Sequence, residues 1–258
     1  MPSQPYQEVV AARPLAAGLD DGPLDPAPSA PWLALADPRH QAALERALDV
    51  ARATRAGRKA LDEAERLLAS RKMDLPVLVE SLGRNFGEYD YVAGRMHLHE
   101  RLFRPGRETD LAGTLVHELT HVVQHGQGVP SNALEMEIEA HLQDLDMLAE
   151  LGLEPPENTF ARQSWEALKK GPKPFIALIQ AAVPGTVFLG EQDFDEIEEQ
   201  LEEDLDDQAR RKGKAAADLA RAIERDIDLV RTPSGRASYK AFSKRVLALL
   251  KRRAAEAR

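Results

Sequence analysis

Residues 111–125 read LAGTLVHELTHVVQH, and two histidines in this stretch, His117 and His121, stand four positions apart. Leucine and valine recur around them at helical spacing, and Glu118 is the one acidic residue among otherwise uncharged neighbours. This pattern predicts a buried helix, because a helix on the surface would carry charges at such positions. Asp110 is predicted to cap the first turn of the helix, and Gly126 to end it.

The residues from His117 to His121 have the form HExxH. Because a helix has about 3.6 residues per turn, both imidazoles lie on one face and can reach a single metal ion. Zn²⁺ takes such nitrogen ligands, and a catalytic zinc site combines three protein ligands with a water. Glu118 is the predicted general base, which would take a proton from that water and hand it to the leaving amine. Six of the seven histidines lie between positions 97 and 141, which favours a metal site over two core histidines.

The third metal ligand is predicted to come from outside this helix. The pattern HExxHxxGxxH does not continue, because residues 124–127 read QHGQ. A glutamate on the next predicted helix, over residues 132–151, is the remaining common solution, and three are present: Glu135, Glu137 and Glu139.

Position along that helix distinguishes the three glutamates only modestly. Glu135 stands three residues after Asn132, where the glutamate of a capping box belongs. Glu137 and His141 flank the apolar stripe of the helix together, one turn apart, whereas Glu139 points further away. Helical periodicity therefore places Glu137 slightly ahead of Glu135 as the third ligand.

The motif and the segment Glu137-Ile-Glu139-Ala140-His141 together resemble the gluzincin-type zinc metallopeptidases. The string LVHELTHVVQH is similar to the small peptidase domain of bacterial toxins and of contractile-injection-system cargo. The resemblance covers roughly residues 85–150 and implies a zincin-like fold, Zn²⁺ as cofactor, His117, His121 and Glu137 as ligands, and Glu118 as catalytic base. It also implies that His141, where an Asp or Asn is more usual, supports a ligand histidine. Peptide deformylase is disfavoured, because its third ligand is a cysteine and the chain has none.

A strand is predicted over Arg95 to Glu100, where Met96 and Leu98 alternate with histidines. The resemblance implies that an exposed strand edge lies beside the motif helix and binds the substrate backbone there. Arg95 to Glu100 is the predicted edge. Four nearby side chains are candidates to stabilise an oxyanion, although each also has a structural interpretation: His97, His99, Tyr89 and Tyr91. His125 is either close to the metal or a polar residue at the helix end, and His40 has no predicted role.

Composition narrows the remaining classes of function. A net charge of −9 argues against general nucleic-acid binding, and the absence of cysteine removes disulfides, thiolate ligands and a cysteine nucleophile. The N-terminus lacks the pattern of a signal peptide, and the longest apolar stretch, residues 175–190, is too short and too broken to span a bilayer. A cytoplasmic protein, or one delivered by a non-classical secretion system, is expected.

Charge divides the last third of the chain. Residues 191–207 hold eleven acidic side chains and no basic one, whereas residues 208–258 hold fifteen basic and five acidic ones. A long helix and its return partner with facing opposite charges is the favoured interpretation. The alternative is a basic surface that docks on an anionic partner or membrane.

The sequence as a whole predicts an α+β, mainly α-helical fold with a small, mostly antiparallel sheet packed on the motif helix. Residues 1–36 are predicted to be a flexible leader rich in Pro and Ala, 37–190 the metallopeptidase domain, and 191–258 a charged helical extension. The predicted function is zinc-dependent hydrolysis of a polypeptide substrate, with a delivered toxin or effector as a refinement implied by the resemblance. The alternative function is an interaction protein that has a structural zinc site and binds a protein partner through its C-terminal helices.

Overall fold

The computed structural model describes residues 30–83, 85–129, 133–183, 186, 188, 194–210 and 214–257. Helices predominate over one small sheet within these residues, which confirms the predicted mainly helical α+β class. The strands are β1 (Leu33–Leu35), β2 (Leu75–Glu80), β3 (Gly87–Asp90) and β4 (Arg95–His99). The helices are α1 (Gln41–Arg52), α2 (Arg55–Arg71), α3 (Glu108–Gly126), α4 (Leu134–Glu150), α5 (Phe160–Lys170), α6 (Pro172–Ala182), α7 (Phe194–Ala209), α8 (Lys214–Arg231) and α9 (Pro233–Glu256).

The sheet is mixed, so the prediction of a mostly antiparallel sheet is wrong. Its strand order is β1-β2-β4-β3, and β2 pairs in parallel with both β1 and β4. Only β3 and β4 are antiparallel. Two helices, α1 and α2, connect β1 to β2, and such a helical crossover returns the chain in a parallel direction.

The predicted strand at residues 95–100 is confirmed as β4, but its predicted position at the sheet edge is wrong. It lies between β2 and β3, with Val77 and Tyr89 both in register with Met96. Met96 and Leu98 are fully buried, as expected for side chains of an interior strand on a sheet face that helices cover. The edge on this side of the sheet is β3, which packs against α3.

Helix α4 lies between two hydrophobic clusters. One cluster joins the sheet to α1, α2 and α3, and it includes Met147 of α4. The other joins α4 to the helices that follow, through residues such as Leu134, Ile138 and Leu142. Both flanks of α4 are thereby fixed, so its polar residues that point towards α3 are held in place.

The motif helix ends at Gly126 as predicted, but the predicted cap at Asp110 and the predicted left-handed conformation of Gly126 are wrong. Helix α3 begins at Glu108 after Arg107, which leaves Asp110 within the first turn rather than at the cap. Gly126 stays helical, and a Cβ atom there would lie 2.2 Å from Leu67 of α2. The left-handed residue is Gly128, whose φ is 77°. Gly126 is therefore used for close helix packing, and Gly128 for reversal of the chain.

The boundary of the predicted leader is also too late. Residues 1–29 lie outside the described residues, but Leu33–Leu35 form β1, and the adjacent Trp32 is buried. The helix predicted over 132–151 is α4, and its predicted first residue, Asn132, lies outside the described part of the chain.

Opposite charges face each other in the last third of the chain, as the favoured interpretation predicts. Arg231 at the end of α8 binds Glu198 of α7 at 2.7 Å and also pairs with Glu202. Arg236 of α9 binds Asp195 of α7 at 3.1 Å. Helix α9 in turn packs on α4, so the C-terminal helices share a hydrophobic cluster with the motif-bearing part of the chain. No described helix is both long enough and apolar enough to cross a bilayer.

Candidate metal centre

Four partly buried side chains converge where α3 packs against α4. The Nε2 atoms of His117 and His121 are 3.1 Å apart. Glu137 of α4 reaches both, with Oε2 3.6 Å from His117 Nε2 and Oε1 3.5 Å from His121 Nε2. His141, one turn further along α4, has its Nε2 atom 4.0 Å from Glu137 Oε2. The two residues on each helix are four positions apart, so both side chains of each pair point towards the space between α3 and α4.

This donor set fits a metal ion. His117, Glu137 and His141 offer ligand atoms that all lie within 4.8 Å of one another, so they could hold one. Tetrahedral zinc with ligands at about 2.0–2.1 Å places neighbouring ligand atoms about 3.3 Å apart. The separations of 3.1–3.6 Å among His117, His121 and Glu137 agree with that geometry. The structure therefore brings the three predicted ligands together and adds His141, predicted as a supporting residue, as a fourth donor.

Asp144 supports the site from α4, and the sequence analysis missed it. Its Oδ2 atom accepts a hydrogen bond from His117 Nδ1 at 3.1 Å and lies 3.7 Å from His141 Nδ1. A carboxylate on Nδ1 leaves Nε2 of the ring free for a metal. The signal was present, because Asp144 follows Glu137 by seven residues and His141 by three, which puts all three on one face of the helix.

Gln124 has the corresponding role beside the second motif histidine. Its Oε1 atom lies 3.0 Å from His121 Nδ1, so both motif histidines have a hydrogen-bond partner on the nitrogen that faces away from Glu137. Gln124 is buried, and it stands three residues after His121 on α3. An uncharged polar residue at that helical spacing was the available signal in the sequence.

Glu118 is buried next to the four donors. Burial raises the pKa of Glu118 to about 7, and the nearby carboxylates of Glu137 and Asp144 add to this, although His117 opposes it. The carboxylate lies against the edge strand, since a Cβ atom at Gly87 of β3 would be 2.6 Å from its Oε1, and the backbone of Tyr89 in the same strand partly offsets the rise in its pKa. The raised pKa of Glu118 suits a group that takes and returns protons near neutral pH.

The charges of the cluster balance one another. Burial lowers the pKa of His121 and would lower that of His117, but Asp144, Glu137 and Glu118 raise the pKa of His117 well above its ordinary value. The histidines hold the pKa of Glu137 below its ordinary value, even though burial opposes this. The four donors form a compact, mutually compensated group rather than isolated buried charges.

The other two candidate glutamates bond to α9 rather than to the histidines. Glu135 is fully buried and accepts a hydrogen bond from Ser243 Oγ at 2.6 Å. Glu139 pairs with Arg245, also of α9. These two residues are one helical turn apart, so they share the side of α4 that packs on α9, whereas Glu137 lies on the side that faces α3.

The remaining candidates from the sequence have other partners. His97 pairs with Glu80 across the β2–β4 pair, and the buried His99 accepts a hydrogen bond from Arg101 N at 3.2 Å. These contacts agree with the structural interpretation of both histidines. His40 packs on Phe103, with ring centroids 4.7 Å apart.

His125 contacts Arg225 rather than the metal donors. Its Nε2 atom is 2.6 Å from Arg225 Nη1 of α8, and its ring packs on Tyr89 and Tyr91 at 6.1 and 5.5 Å. Burial and the neighbouring Arg225 lower the pKa of His125 to about 4. The two tyrosines thus pack around a neutral histidine at the end of α3.

Comparison of the chain with protein-family models, with curated proteins and with solved structures finds no match in any of the three. What this site can do is therefore derived from its own side chains.

Gly87 of β3 has no side chain, and this lets the edge strand approach Glu118 closely. A Cβ atom at Gly87 would lie 2.6 Å from both Glu118 Oε1 and Thr114 Cγ2. We expect Gly87→Ala to displace the Glu118 carboxylate, with a loss of stability of about 1–3 kcal/mol and a roughly 10- to 100-fold fall in any hydrolytic activity. Denaturant unfolding and a proteolysis assay measure the two effects.

The matched control is Gly113→Ala on α3. Its added Cβ atom would meet Met147 Cε at 3.5 Å, an ordinary contact, and alanine favours the helix. If Gly87→Ala were as active as Gly113→Ala, the close approach of β3 would have no part in positioning Glu118.

Proposed function

We propose that the chain is a zinc-dependent metallopeptidase of the gluzincin type, with His117, His121 and Glu137 as ligands and Glu118 as the general base. The observation that carries this is the position of Glu118. It is buried beside three donors whose spacing fits tetrahedral zinc, and it lies against the edge strand. A site that served only to stabilise the fold would have no need of a buried carboxylate with a raised pKa there.

Zinc in such a site supplies a Lewis acid that polarises a carbonyl group and makes a bound water acidic. The chain's own residues do the rest. Glu118 takes the proton of the attacking water, and its raised pKa lets it hold that proton before giving it to the leaving amine. Asp144 and Gln124 hold the two motif histidines with Nε2 turned towards Glu137. The peptide bond is thereby hydrolysed to a carboxylate and an amine.

A polypeptide substrate is supported by the edge strand β3. An extended peptide can add to such an edge through main-chain hydrogen bonds. Because a Cβ atom at Gly87 of this strand would lie 2.6 Å from Glu118 Oε1, a peptide added there would pass close to the base. Delivery of the enzyme as a toxin or effector is an extension of this proposal that the family resemblance alone suggests.

A second candidate is a structural zinc site in an interaction protein, and His141 favours it. His141 forms, with His117 and Glu137, a group that could hold a metal ion, and if His121 bound the same ion four protein ligands would close a tetrahedral site to water. The C-terminal helices α7 to α9 would then be the binding surface. The two candidates differ in whether the metal keeps a position open to water.

Metal removal tests the proposal and separates it from this alternative. We expect one zinc per chain after purification without added metal, loss of proteolysis of an unfolded protein on chelation, and its return with zinc. His141→Ala is expected to keep the zinc, because three ligands remain. One zinc per chain that is lost in His141→Ala, together with no proteolysis in the wild type, would favour the structural site.

A further inference from the structure

A continuous chain of hydrogen bonds runs from His121 to the C-terminal helix α9. Gln124 Oε1 lies 3.0 Å from His121 Nδ1, and Gln124 Nε2 donates to Glu139 Oε2 at 3.0 Å. Glu139 in turn accepts two hydrogen bonds from Arg245. Arg245 Nη2 donates to Oε2 at 3.1 Å, and Arg245 Nη1 donates to Oε1. Gln124 and Glu139 are both buried, so the bond between them is shielded from water, whereas Arg245 is half exposed.

The partners of Gln124 fix the orientation of its amide. Its Nε2 atom donates to two acceptors, the carbonyl oxygen of Met136 at 3.1 Å and the carboxylate of Glu139. A flipped amide would turn its oxygen towards both of them and place acceptor against acceptor in a buried site. Oε1 must therefore face His121, and it can only accept. Consequently the proton of a neutral His121 ring lies on Nδ1, and the lone pair of Nε2 points towards His117 and Glu137.

We propose that Gln124, Glu139 and Arg245 are positioning residues that select the metal-binding tautomer of His121, so that α9 contributes to the metal centre. The inference rests on the proposed function for its metal, but its tautomer can be tested without one. Arg245 matters because Glu139 is almost fully buried, and a carboxylate left there without its guanidinium partner would reorient or admit water. Gln124 would then lose the acceptor that prevents its flip.

The chain offers a matched control for Arg245. Arg253 is also on α9, and its Nη2 atom binds Asp146 of α4 at 2.6 Å. Both arginines thus pair with a carboxylate of the same helix, but Asp146, within the part of the chain that the structure describes, makes no hydrogen bond to Gln124 or to a metal donor. Replacing either arginine by methionine keeps an apolar side chain of similar length. A general effect on the packing of α9 would appear in both variants, whereas an effect on His121 would appear only when Arg245 is replaced.

The first measurement is the tautomer of His121 in the metal-free protein, read from the ¹⁵N chemical shifts of its ring near neutral pH. We expect the wild type and Arg253→Met to show one form, with the proton on Nδ1. Gln124→Met removes the acceptor and is expected to give a mixture, and Arg245→Met is expected to shift in the same direction. A wild-type His121 with its proton on Nε2 would overturn the inference, whether or not the protein is a peptidase.

The second measurement is the affinity for zinc by competition with a chelator. Loss of a residue that orients a metal ligand weakens binding by about 10- to 100-fold. We expect Gln124→Met to fall in this range and Arg245→Met to lose about tenfold. Arg253→Met should stay close to the wild type, and Arg245→Lys, which keeps a cation beside Glu139, should recover most of the loss. Equal affinities in Arg245→Met and Arg253→Met would remove Arg245 from the chain of positioning residues.

Discussion

Replacing Glu118 by glutamine is expected to abolish peptide hydrolysis and to leave zinc bound. The amide keeps the length of the side chain and its position against Gly87 of β3, so the fold around it should persist. It cannot accept a proton from water. Removal of a general base slows such reactions by about 10²–10⁴-fold. We therefore expect kcat to fall by that factor, with KM close to that of the wild type, because Glu118 is not among the proposed ligands.

The matched control for this variant is Glu108→Gln, at the start of the same helix. Glu108 is partly exposed and pairs with Arg46 at 3.2 Å, away from the metal donors. The same substitution there should leave kcat unchanged. Proteolysis that survived in Glu118→Gln with one zinc per chain would show that another group takes the proton. Loss of zinc in that variant would instead place Glu118 among the ligands.

The local pattern of the sequence predicts the site better than it predicts the sheet. The HExxH spacing fixes two side chains on one helical face wherever the helix lies, so His117, Glu118 and His121 follow from the period alone. The parallel pairing of β1 with β2 does not, because β1 has only three residues and its Leu33 is in register with Leu75, 42 positions further along the chain. Such distant pairing depends on the packing of α1 and α2 between the strands.

Residues that orient the site are harder to predict than residues that form it. Asp144 lies on the same face as Glu137 and His141, but an aspartate at helical spacing is common on solvent-exposed faces. Only the packing of α4 against α3 turns it towards His117 Nδ1. Gly87 is a similar case. A glycine in a strand indicates that another group approaches the backbone closely, but the sequence does not identify that group. The contact with Glu118 is a property of the assembled structure.

Helix α4 carries the second large expected effect, the loss of zinc when Glu137 is replaced. Glu137→Ala removes the oxygen atoms that lie 3.5–3.6 Å from both motif histidines. Residues that only orient a ligand contribute about 10- to 100-fold in metal affinity, and we expect the loss of a ligand itself to exceed 100-fold. Proteolytic activity at limiting zinc should fall in parallel. Zinc content after dialysis and chelator competition measure the change.

Glu135→Ala gives the matched comparison, because the two glutamates are on one helix and face opposite neighbours. Glu135 is fully buried, and its removal leaves Ser243 of α9 without its carboxylate partner, which is expected to lower the free energy of unfolding by about 1–3 kcal/mol. Zinc should remain bound at one per chain. Glu137→Ala should thus lose the metal and keep the fold, whereas Glu135→Ala should keep the metal and lose stability. The reverse pattern would make Glu135 the ligand, and it would require α4 to turn by about half a revolution relative to α3, since residues two positions apart differ by about 200° around a helix.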